Sequence, residues 1–374
     1  MRLHELVEAS ARVSATRSRL EKVEQLAEVT RRMPAPLVAI GVAYLTGELP
    51  QGRVGVGYAQ LRDLRPAPAP EATLGLEEID RVFSAVKAAS GGGAAAKRAA
   101  LLGGLLARAT ASEQEFLFHL LIGELRQGAL EGIVVEAVAL AFGAPPALVR
   151  RATMLVGGVP VVAMALAREG VAALNRFELT LFRPVQPMLA DSAADVGDAW
   201  QRLGTAAFEL KLDGARVQVH KDGDRIEVYS RQLNRVTPAV PEIVERVARL
   251  PAQRLILDGE AIALSPARRP LPFQTTMRRF GRRLDVAALR AELPLDVSFF
   301  DVLRVDDQVL LDRPLAERWE ALGASTAPGD VVPRIVAATE SEAESFLARA
   351  LADGHEGVMA KSLTGTYSAG RRGQ

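Results

Sequence analysis

The sequence predicts a multidomain protein in which an all-helical N-terminal domain, residues 1–175, is followed by an α+β domain with antiparallel sheets, residues 176–374. Three observations lead to this prediction. A chain of 374 residues is too long for one ordinary hydrophobic core. Apolar residues recur at helical spacing through the first part of the chain. After Val171 they alternate with polar residues in short segments, which is typical of strands.

The composition narrows the class of protein. The net charge is +1, so affinity for nucleic acid would have to come from local clusters of basic residues. The absence of cysteine excludes disulfides, cysteine zinc sites and thiol catalysis. The longest apolar runs, residues 132–143 and 152–167, are shorter than the ~18–20 residues that span a bilayer. Because no signal peptide is visible either, we expect a cytoplasmic protein with no membrane partner.

The first helices are predicted from amphipathic patterns and from the residues that end them. A proline-rich stretch at 65–70 cannot continue a helix and predicts a stiff connector. A helix is predicted over 76–89 and ends at Ser90-Gly-Gly-Gly93. The next helix carries Lys97 and Arg98 in its first turns.

Three more helices follow in this domain. Ser112-Glu-Gln-Glu115 has the pattern of a capping box, with Ser112 at the N-cap and Glu115 at the third helical position. Apolar helices are then predicted from Leu130 and from Pro145.

The second domain is predicted from segments in which apolar and polar residues alternate. Helical patterns over 239–250 and 316–322 lie between some of these segments. The predicted strands are residues 208–212, 217–220, 226–231, 255–258, 297–301 and 357–361.

The first of these strands carries an unusual lysine. Lys211 is one of only six lysines among 46 basic residues, and it shares a strand face with Glu209, whereas Phe208 and Leu210 point to the other face. Asp222-Gly223 predicts a two-residue hairpin turn, so we interpret 208–231 as a hairpin. The simplest explanation of its charges is a solvated face with ordinary ion pairs.

A second explanation is chemical. A lysine amine attacks an electrophile only when it is neutral, and flanking acids favour the charged form. Arginines, a metal ion or a second lysine could offset the acids of Lys211-Leu-Asp-Gly-Ala-Arg216. Arginine and metal are also what a triphosphate requires.

Lys211-Leu-Asp-Gly-Ala-Arg216 resembles the nucleotidyl-transfer motif of covalent nucleotidyltransferases, which include ATP-dependent DNA ligases, RNA ligases and mRNA capping enzymes. The resemblance implies that Lys211 attacks the α-phosphate of a nucleotide and forms a phosphoramidate with AMP or GMP. It also implies that Arg216 contacts the ribose. Glu209 matches the position that recognises the adenine amino group, which favours ATP over GTP.

Four further motifs occur in the family's order: Tyr229-Ser-Arg231, Leu257-Asp-Gly-Glu260, Ser298-Phe-Phe-Asp301 and Glu356-Gly-Val-Met-Ala-Lys361. By resemblance, Arg231 and Lys361 contact phosphates, and Phe300 stacks on the purine. Glu260 contacts the ribose and helps to bind a metal ion, and Glu356 helps to bind the metal ion. Taken singly, Asp-Gly-Glu could be a turn and Phe300 a core residue.

Two other segments extend the resemblance. Pro187-Met-Leu-Ala190 and Phe273-Gln-Thr-Thr-Met-Arg-Arg279 are similar to ligase segments. Arg372, near the chain end, is expected to contact the nucleotide as well.

The helical domain favours DNA as the substrate. Segments 90–98 and 123–128 resemble the parts of a ligase DNA-binding domain that grip the duplex backbone. The residues expected to contact DNA are Lys97, Arg98, Arg126 and Gly128. Glycines let backbone amides approach phosphates, and the basic residues add counter-charge. The alternative is a helix-capping glycine loop with solvated arginines.

The resemblance covers nearly the whole chain and is strongest to the actinobacterial B-type ligase. It implies an incomplete adenylation (nucleotidyltransferase) domain, because the family's Trp-Leu-Lys-x-Lys strand and OB-fold domain are absent. We therefore expect a fragment that adenylates itself poorly.

The expected function is that of an ATP-dependent DNA ligase, which seals 3′-hydroxyl/5′-phosphate nicks in replication, repair or recombination. The expected cofactors are ATP and Mg²⁺, the expected partner is nicked duplex DNA, and the protein is expected to be a monomer at the bacterial nucleoid. The alternatives are a non-catalytic nick-binding fragment and an RNA ligase or capping-type enzyme.

Overall fold

The computed structural model describes residues 1–125, 131–265, 270–280, 286–368 and 372–373, the last pair by backbone alone. The chain divides into two compact units, Met1–Glu178 and Leu179–Gln374. The predicted fold class is confirmed, because the first unit is helical and the second is α+β with antiparallel sheets. In the described ranges, no helix is long and apolar enough to cross a membrane.

The regular elements described in the first unit are helical. Its core is built from apolar residues at helical spacing, including the fully buried Leu3, Leu26 and Phe83. The helices are α1 (Leu3–Ala15), α2 (Arg19–Arg31), α3 (Val38–Thr46), α4 (Tyr58–Asp63), α5 (Leu76–Ala88), α6 (Ala94–Leu106), α7 (Ala111–Ile122), α8 (Glu131–Phe142), α9 (Pro146–Val156) and α10 (Val159–Glu169), with 3-10 turns at Ala35–Leu37 and Val171–Arg176.

One detail of this unit differs from the sequence prediction. The capping box lies two residues earlier, because the N-cap of α7 is Thr110 and its partner is Glu113, whose carboxylate accepts from the Thr110 amide at 2.9 Å. The apolar run at 152–167 is divided between α9 and α10, since Gly157 ends α9 in a left-handed conformation. Leu130, the predicted start of a helix, lies outside the described residues.

The second unit contains two antiparallel sheets. One has five strands in the order β4-β3-β5-β6-β7, and the other has three strands in the order β8-β2-β9. A short parallel pair joins β1 to β10. The strands are β1 (Leu189–Ala190), β2 (Ala206–Lys211), β3 (Ala215–Asp222), β4 (Arg225–Ser230), β5 (Arg254–Ala263), β6 (Leu295–Val305), β7 (Gln308–Val309), β8 (Arg334–Ala337), β9 (Gly357–Lys361) and β10 (Arg372–Gly373).

Helices cover the outer faces of these sheets. α12 packs on the five-stranded sheet, and α11 and α16 pack against the three-stranded sheet around the buried Phe208. The helices of this unit are α11 (Val196–Leu203), α12 (Pro241–Ala248), α13 (Phe273–Phe280), α14 (Val286–Glu292), α15 (Leu315–Ser325) and α16 (Glu340–Ala352), with 3-10 turns at Thr237–Ala239 and Pro328–Asp330.

The prediction of one hairpin over residues 208–231 is wrong. β2 belongs to the three-stranded sheet, and only β3 and β4 form a hairpin in the five-stranded sheet. Its turn is Gly223-Asp224, one residue later than predicted, since Asp222 still pairs with Arg225. The bend after Lys211 therefore carries the chain from one sheet to the other.

Two side chains of β4 contact Phe182. Arg225 lies over the ring of Phe182 at 3.7 Å, and the Tyr229 hydroxyl donates to the Phe182 carbonyl at 3.0 Å. These two side chains hold the segment that precedes β1.

Candidate active site

Lys211 is the last residue of β2 and lies opposite Gly357, the first residue of β9. Its ammonium forms an ion pair with Glu356, the residue just before that strand. Both side chains are about half exposed, at 40% and 50%, so the pair is accessible to a ligand. The antiparallel pairing of β2 and β9 thus brings together two motifs that lie far apart in the sequence.

The bend after Lys211 requires a glycine. A Cβ atom on Gly214 would lie 2.4 Å from the Ala261 carbonyl oxygen and 2.4 Å from Ile262 Cγ2. Both distances are far below van der Waals contact, and one of the atoms belongs to the backbone. Gly214 therefore lets the loop after Lys211 approach β5 closely, which brings the two sheets together at the lysine.

Glu209 is buried on the same face of β2 as Lys211, and only 2% of it is exposed. One carboxylate oxygen forms an ion pair with Lys361 of β9. The other, Oε1, is buried and has no hydrogen-bond partner. Burial raises the pKa of Glu209, and the charge of Lys361 lowers it in part. Burying an acceptor that has no hydrogen-bond donor costs free energy, so Oε1 is suited to accept a hydrogen bond from a ligand.

Phe300 lies on the site side of β6. Alternation along the strand places Phe299 in the core, fully buried, and leaves Phe300 half-buried. Lys361 Nζ lies 4.8 Å from the centre of the Phe300 ring, and the Arg216 guanidinium lies 5.3 Å from it. The ring therefore belongs to the group of charged residues and is not a core side chain.

Arg216 is held in a network of buried groups. It forms a bidentate ion pair with Asp258, at 3.0 Å from Nε to Oδ1 and 2.5 Å from Nη2 to Oδ2. Arg216 also donates to the Met188 carbonyl at 2.6 Å. The Tyr367 hydroxyl donates to Asp258 at 2.8 Å and accepts from the Met188 amide at 3.2 Å. The network fixes the Arg216 side chain and ties the Pro187-Met-Leu-Ala190 segment to the sheet.

Glu260 lies in the interior of β5, so Asp-Gly-Glu at 258–260 is part of a strand and not a turn. A Cβ on Gly259 would lie 2.7 Å from the Ser298 carbonyl, which explains the glycine beside an irregularity in the β5–β6 register. Burial raises the pKa of Glu260 to about 8, and the charges of Arg216, Lys211 and Arg231 lower it in part. Lys211 and Glu260 therefore interact although their strands belong to different sheets.

The two predicted metal ligands are both close enough to Lys211 to interact with it. Glu356 pairs with the lysine directly, and Glu260 experiences its charge. Across the described ranges, no group of three or more acidic or histidine side chains could hold a metal by itself. Two carboxylates still suit Mg²⁺, which protein sites often bind through one or two carboxylates, substrate phosphates and water.

The remaining residues predicted to contact the nucleotide are Arg231 and Arg372. Arg231 is exposed just beyond the end of β4, where its charge acts on Glu260. Arg372 belongs to β10, whose backbone pairs with Leu189 of β1.

In the helical unit, the two described basic residues differ. Lys97 is exposed near the N-terminus of α6, whose N-cap Gly93 is left-handed and offers no capping side chain. Arg98 is half-buried and donates to the backbone carbonyls of Ala89 at 2.6 Å and Val86 at 3.3 Å. Its guanidinium therefore has a structural role, and Lys97 is the freer cation. Arg126 and Gly128 lie outside the described residues.

Several residues support the site although the sequence motifs assign them no role. Asp258 and Tyr367 fix Arg216 from distant positions. Arg318, buried in α15, forms a bidentate pair with Asp301 at 2.7 and 3.0 Å and donates to the Gly365 carbonyl at 3.0 Å. Arg334 of β8 lies directly opposite Glu209. An arginine in a strand is ordinarily interpreted as a solvated residue, so only the tertiary contacts reveal these roles.

Comparison with protein families gives two matches. Residues 187–374 match the family described as ATP dependent DNA ligase domain, and residues 50–139 match the family described as DNA ligase N terminus. The first match includes every residue of the group around Lys211.

Curated relatives match over the whole chain. A protein of Anaeromyxobacter sp. (strain Fw109-5), named Probable DNA ligase, is 53% identical over 100% of this chain and 72% of its own length. A protein of the same name from Mycolicibacterium paratuberculosis is 50% identical over 99% of this chain and 72% of its own length. A solved structure named Pmar-Lig_Pre has a TM-score of 0.59 at 18% identity, over 98% of this chain and 76% of its own, which indicates a similar fold.

Proposed function

This chain belongs to the ATP-dependent DNA ligase family, and from that premise we propose that Lys211 carries the adenylate with which the enzyme seals nicks in duplex DNA. The observation that carries the proposal is the arrangement along β2. Lys211 and Glu209 share one face of the strand, and each pairs with a residue of the Glu356–Lys361 motif. The nucleophile Lys211 thus lies two residues along β2 from Glu209, whose buried and unsatisfied Oε1 is suited to accept a hydrogen bond from adenine.

The first step is transfer of AMP to the lysine. Lys211 Nζ loses a proton and forms a bond to the α-phosphorus, while the bond from that phosphorus to the pyrophosphate oxygen breaks. An oxygen of the 5′-phosphate at the nick then attacks the same phosphorus, and the bond from that phosphorus to Lys211 Nζ breaks. The 3′-hydroxyl finally loses its proton and attacks the phosphorus of the 5′-phosphate, which joins the strands and releases AMP. Each step is a displacement at phosphorus, so the protein contributes mainly by positioning and by neutralising charge.

The surrounding residues supply that positioning. Oε1 of Glu209 accepts a hydrogen bond from the adenine amino group, and Phe300 stacks on the purine. Arg216, held by Asp258 and Tyr367, faces the ribose, and Lys361 and Arg231 face phosphates. Mg²⁺ held by Glu260 and Glu356 would neutralise the phosphates and draw Glu356 away from Lys211.

The helical unit supplies contact with DNA. The match of residues 50–139 to the DNA ligase N terminus favours DNA over RNA as the substrate. Lys97 beside the open N-terminus of α6 suits a backbone phosphate, which provides affinity without sequence preference. We propose that the enzyme works as a monomer on chromosomal DNA at the nucleoid.

A sealing assay with labelled duplexes tests this function. ATP should support the sealing of nicked DNA, whereas GTP in place of ATP, or a nicked RNA duplex, should give little product. Sealing of RNA in preference to DNA would contradict the assignment of the substrate. Nick binding without any AMP transfer to the chain would contradict the enzymatic assignment.

A further inference from the structure

Arg334 is a charged residue at the site for which the proposed chemistry has no role. It is the first residue of β8 and pairs directly with Glu209 of β2, so both side chains lie on the same face of the three-stranded sheet. The Arg334 guanidinium lies 3.7 Å from the centre of the Trp319 ring. Its Nη1 atom is buried and has no hydrogen-bond partner.

Glu209 and Arg334 therefore each offer one unsatisfied buried atom, the acceptor Oε1 and the donor Nη1. Glu209 makes its ion pair with Lys361 instead, and no ion pair joins Glu209 to Arg334 among the described residues. Two buried polar atoms without hydrogen-bond partners on one sheet face destabilise the protein unless a bound molecule forms hydrogen bonds with both. A planar ligand with a donor next to an acceptor has the required chemistry.

The Arg334 guanidinium is held in place by its surroundings. Trp319, on which it stacks, donates from Nε1 to the Phe300 carbonyl at 3.3 Å and packs against Ala207 of β2. Burial lowers the pKa of Arg334, and the charges of Glu209 and Asp301 offset part of that effect. The stack thus links Arg334 to the strand that carries Phe300.

We propose that Arg334 is a specificity-determining residue that donates from Nη1 to the ring nitrogen beside the adenine amino group, while Glu209 accepts from that amino group. In adenine the amino group is flanked by two ring acceptors, N1 and N7. Guanine presents an oxygen at the same place and would set an acceptor against Glu209. The inference rests on the proposed function and adds a second reader of the base to it.

Adenine analogues that lack one ring nitrogen test the contact directly. The self-adenylation kcat/KM of the parent protein is measured with ATP, 1-deaza-ATP and 7-deaza-ATP. One of the two analogues should react about 10- to 100-fold less well than ATP, the range for losing a hydrogen bond to a charged donor. In Arg334→Leu, ATP itself should fall by a similar factor, and the same analogue should then react within about twofold of ATP.

Two further variants make the result interpretable. Arg349→Leu removes another arginine that stacks on a ring, 5.8 Å from Phe346, and should keep the full penalty of the analogue. Arg334→Lys keeps the positive charge but lacks the forked donors of the guanidinium, so the loss of kcat/KM with the analogue relative to ATP should also be smaller in this variant. Arg334→Lys therefore tests the contact even if Arg334→Leu does not fold.

Equal reaction of both analogues with the parent would overturn the inference, and so would a penalty that persists in Arg334→Leu and Arg334→Lys. In either case labelling with ATP survives, and the proposed function stands. A parent protein that takes no label from ATP would instead overturn the proposed function and this inference with it.

Discussion

Glu356 forms an ion pair with Lys211 across 145 residues of sequence, and the two meet because β2 and β9 are neighbours in one sheet. The carboxylate thus fixes the position of the lysine ammonium beside the first residue of β9. To release the amine, the carboxylate has to turn to another partner, such as the metal. The pair is therefore a resting arrangement of the nucleophile as well as a structural contact.

Replacing Glu356 tests this double role. Glu356→Gln removes the charge and keeps the size, so self-adenylation should fall by about 10²-fold or more, as for loss of a group that handles charge or protons. The free energy of unfolding should change by less than about 1 kcal/mol, because the pair is half exposed. Glu344→Gln, an exposed acid of α16, is the control and should change neither. Normal adenylation by Glu356→Gln would remove Glu356 from the mechanism.

The raised pKa of Glu260 predicts a pH dependence of stability. With its pKa near 8 in the folded protein and about 4.3 in the unfolded chain, Glu260 binds its proton more tightly when folded. Stability is therefore lost as the pH rises from about 4 to about 8. Glu260→Gln should be more stable than the parent by on the order of 1–2 kcal/mol at pH 8.5 and equal to it at pH 4.

Denaturant unfolding at the two pH values measures this difference. The exposed Glu320 of α15 provides the control, because Glu320→Gln should match the parent's stability at each of the two pH values. A Glu260→Gln variant that is no more stable than the parent at pH 8.5 would show that the carboxyl ionises normally in the folded state.

Gly214 predicts a sharp steric effect. Gly214→Ala would force a Cβ to within 2.4 Å of the Ala261 carbonyl, so the loop after Lys211 must shift. We expect a loss of about 1–3 kcal/mol in stability and a large loss of adenylation. Gly323→Ala is the matched control, since that glycine lies in α15 with nothing within 4 Å, and alanine there should stabilise the helix. Full activity of Gly214→Ala would show that the close approach is not needed.

The neighbours Phe299 and Phe300 should separate stability from nucleotide binding. Phe300→Ala should raise the KM for ATP by about tenfold or more with little effect on the melting temperature, because its ring is half-buried at the site. Phe299→Ala should cost about 3–5 kcal/mol of stability, because its ring is fully buried. Initial rates of self-adenylation at varied ATP concentration measure the KM, and thermal melts measure the stability. The opposite pattern would mean that the two rings are assigned to the wrong faces.

Local patterns explain which parts of this account could be predicted from sequence. Alternation places Glu209 and Lys211 on one face of a strand, and this depends only on neighbouring residues. The strand segments and their motifs were therefore predictable. The partner of a strand is not local. The bend after Lys211 suits a hairpin as well as a crossing between sheets, and only the β2–β9 pairing decides between them.

The residues that hold the site could not be predicted for the same reason. Tyr367 reaches Asp258 across 109 residues, and Arg216 reaches Tyr367 across 151. Arg334 gains its place from β8, a four-residue strand with no alternation signal of its own. Burial and partners give these side chains their roles, and neither is encoded in a short stretch of sequence.

The most direct test of the central claim is to identify the residue that carries AMP. The protein is incubated with ATP and Mg²⁺, digested, and mapped by mass spectrometry, which distinguishes its six lysines. The account predicts an AMP adduct on Lys211, absent from Lys211→Ala and retained in Lys22→Ala. An adduct on another residue, or labelling of Lys211→Ala at the parent's level, would contradict it.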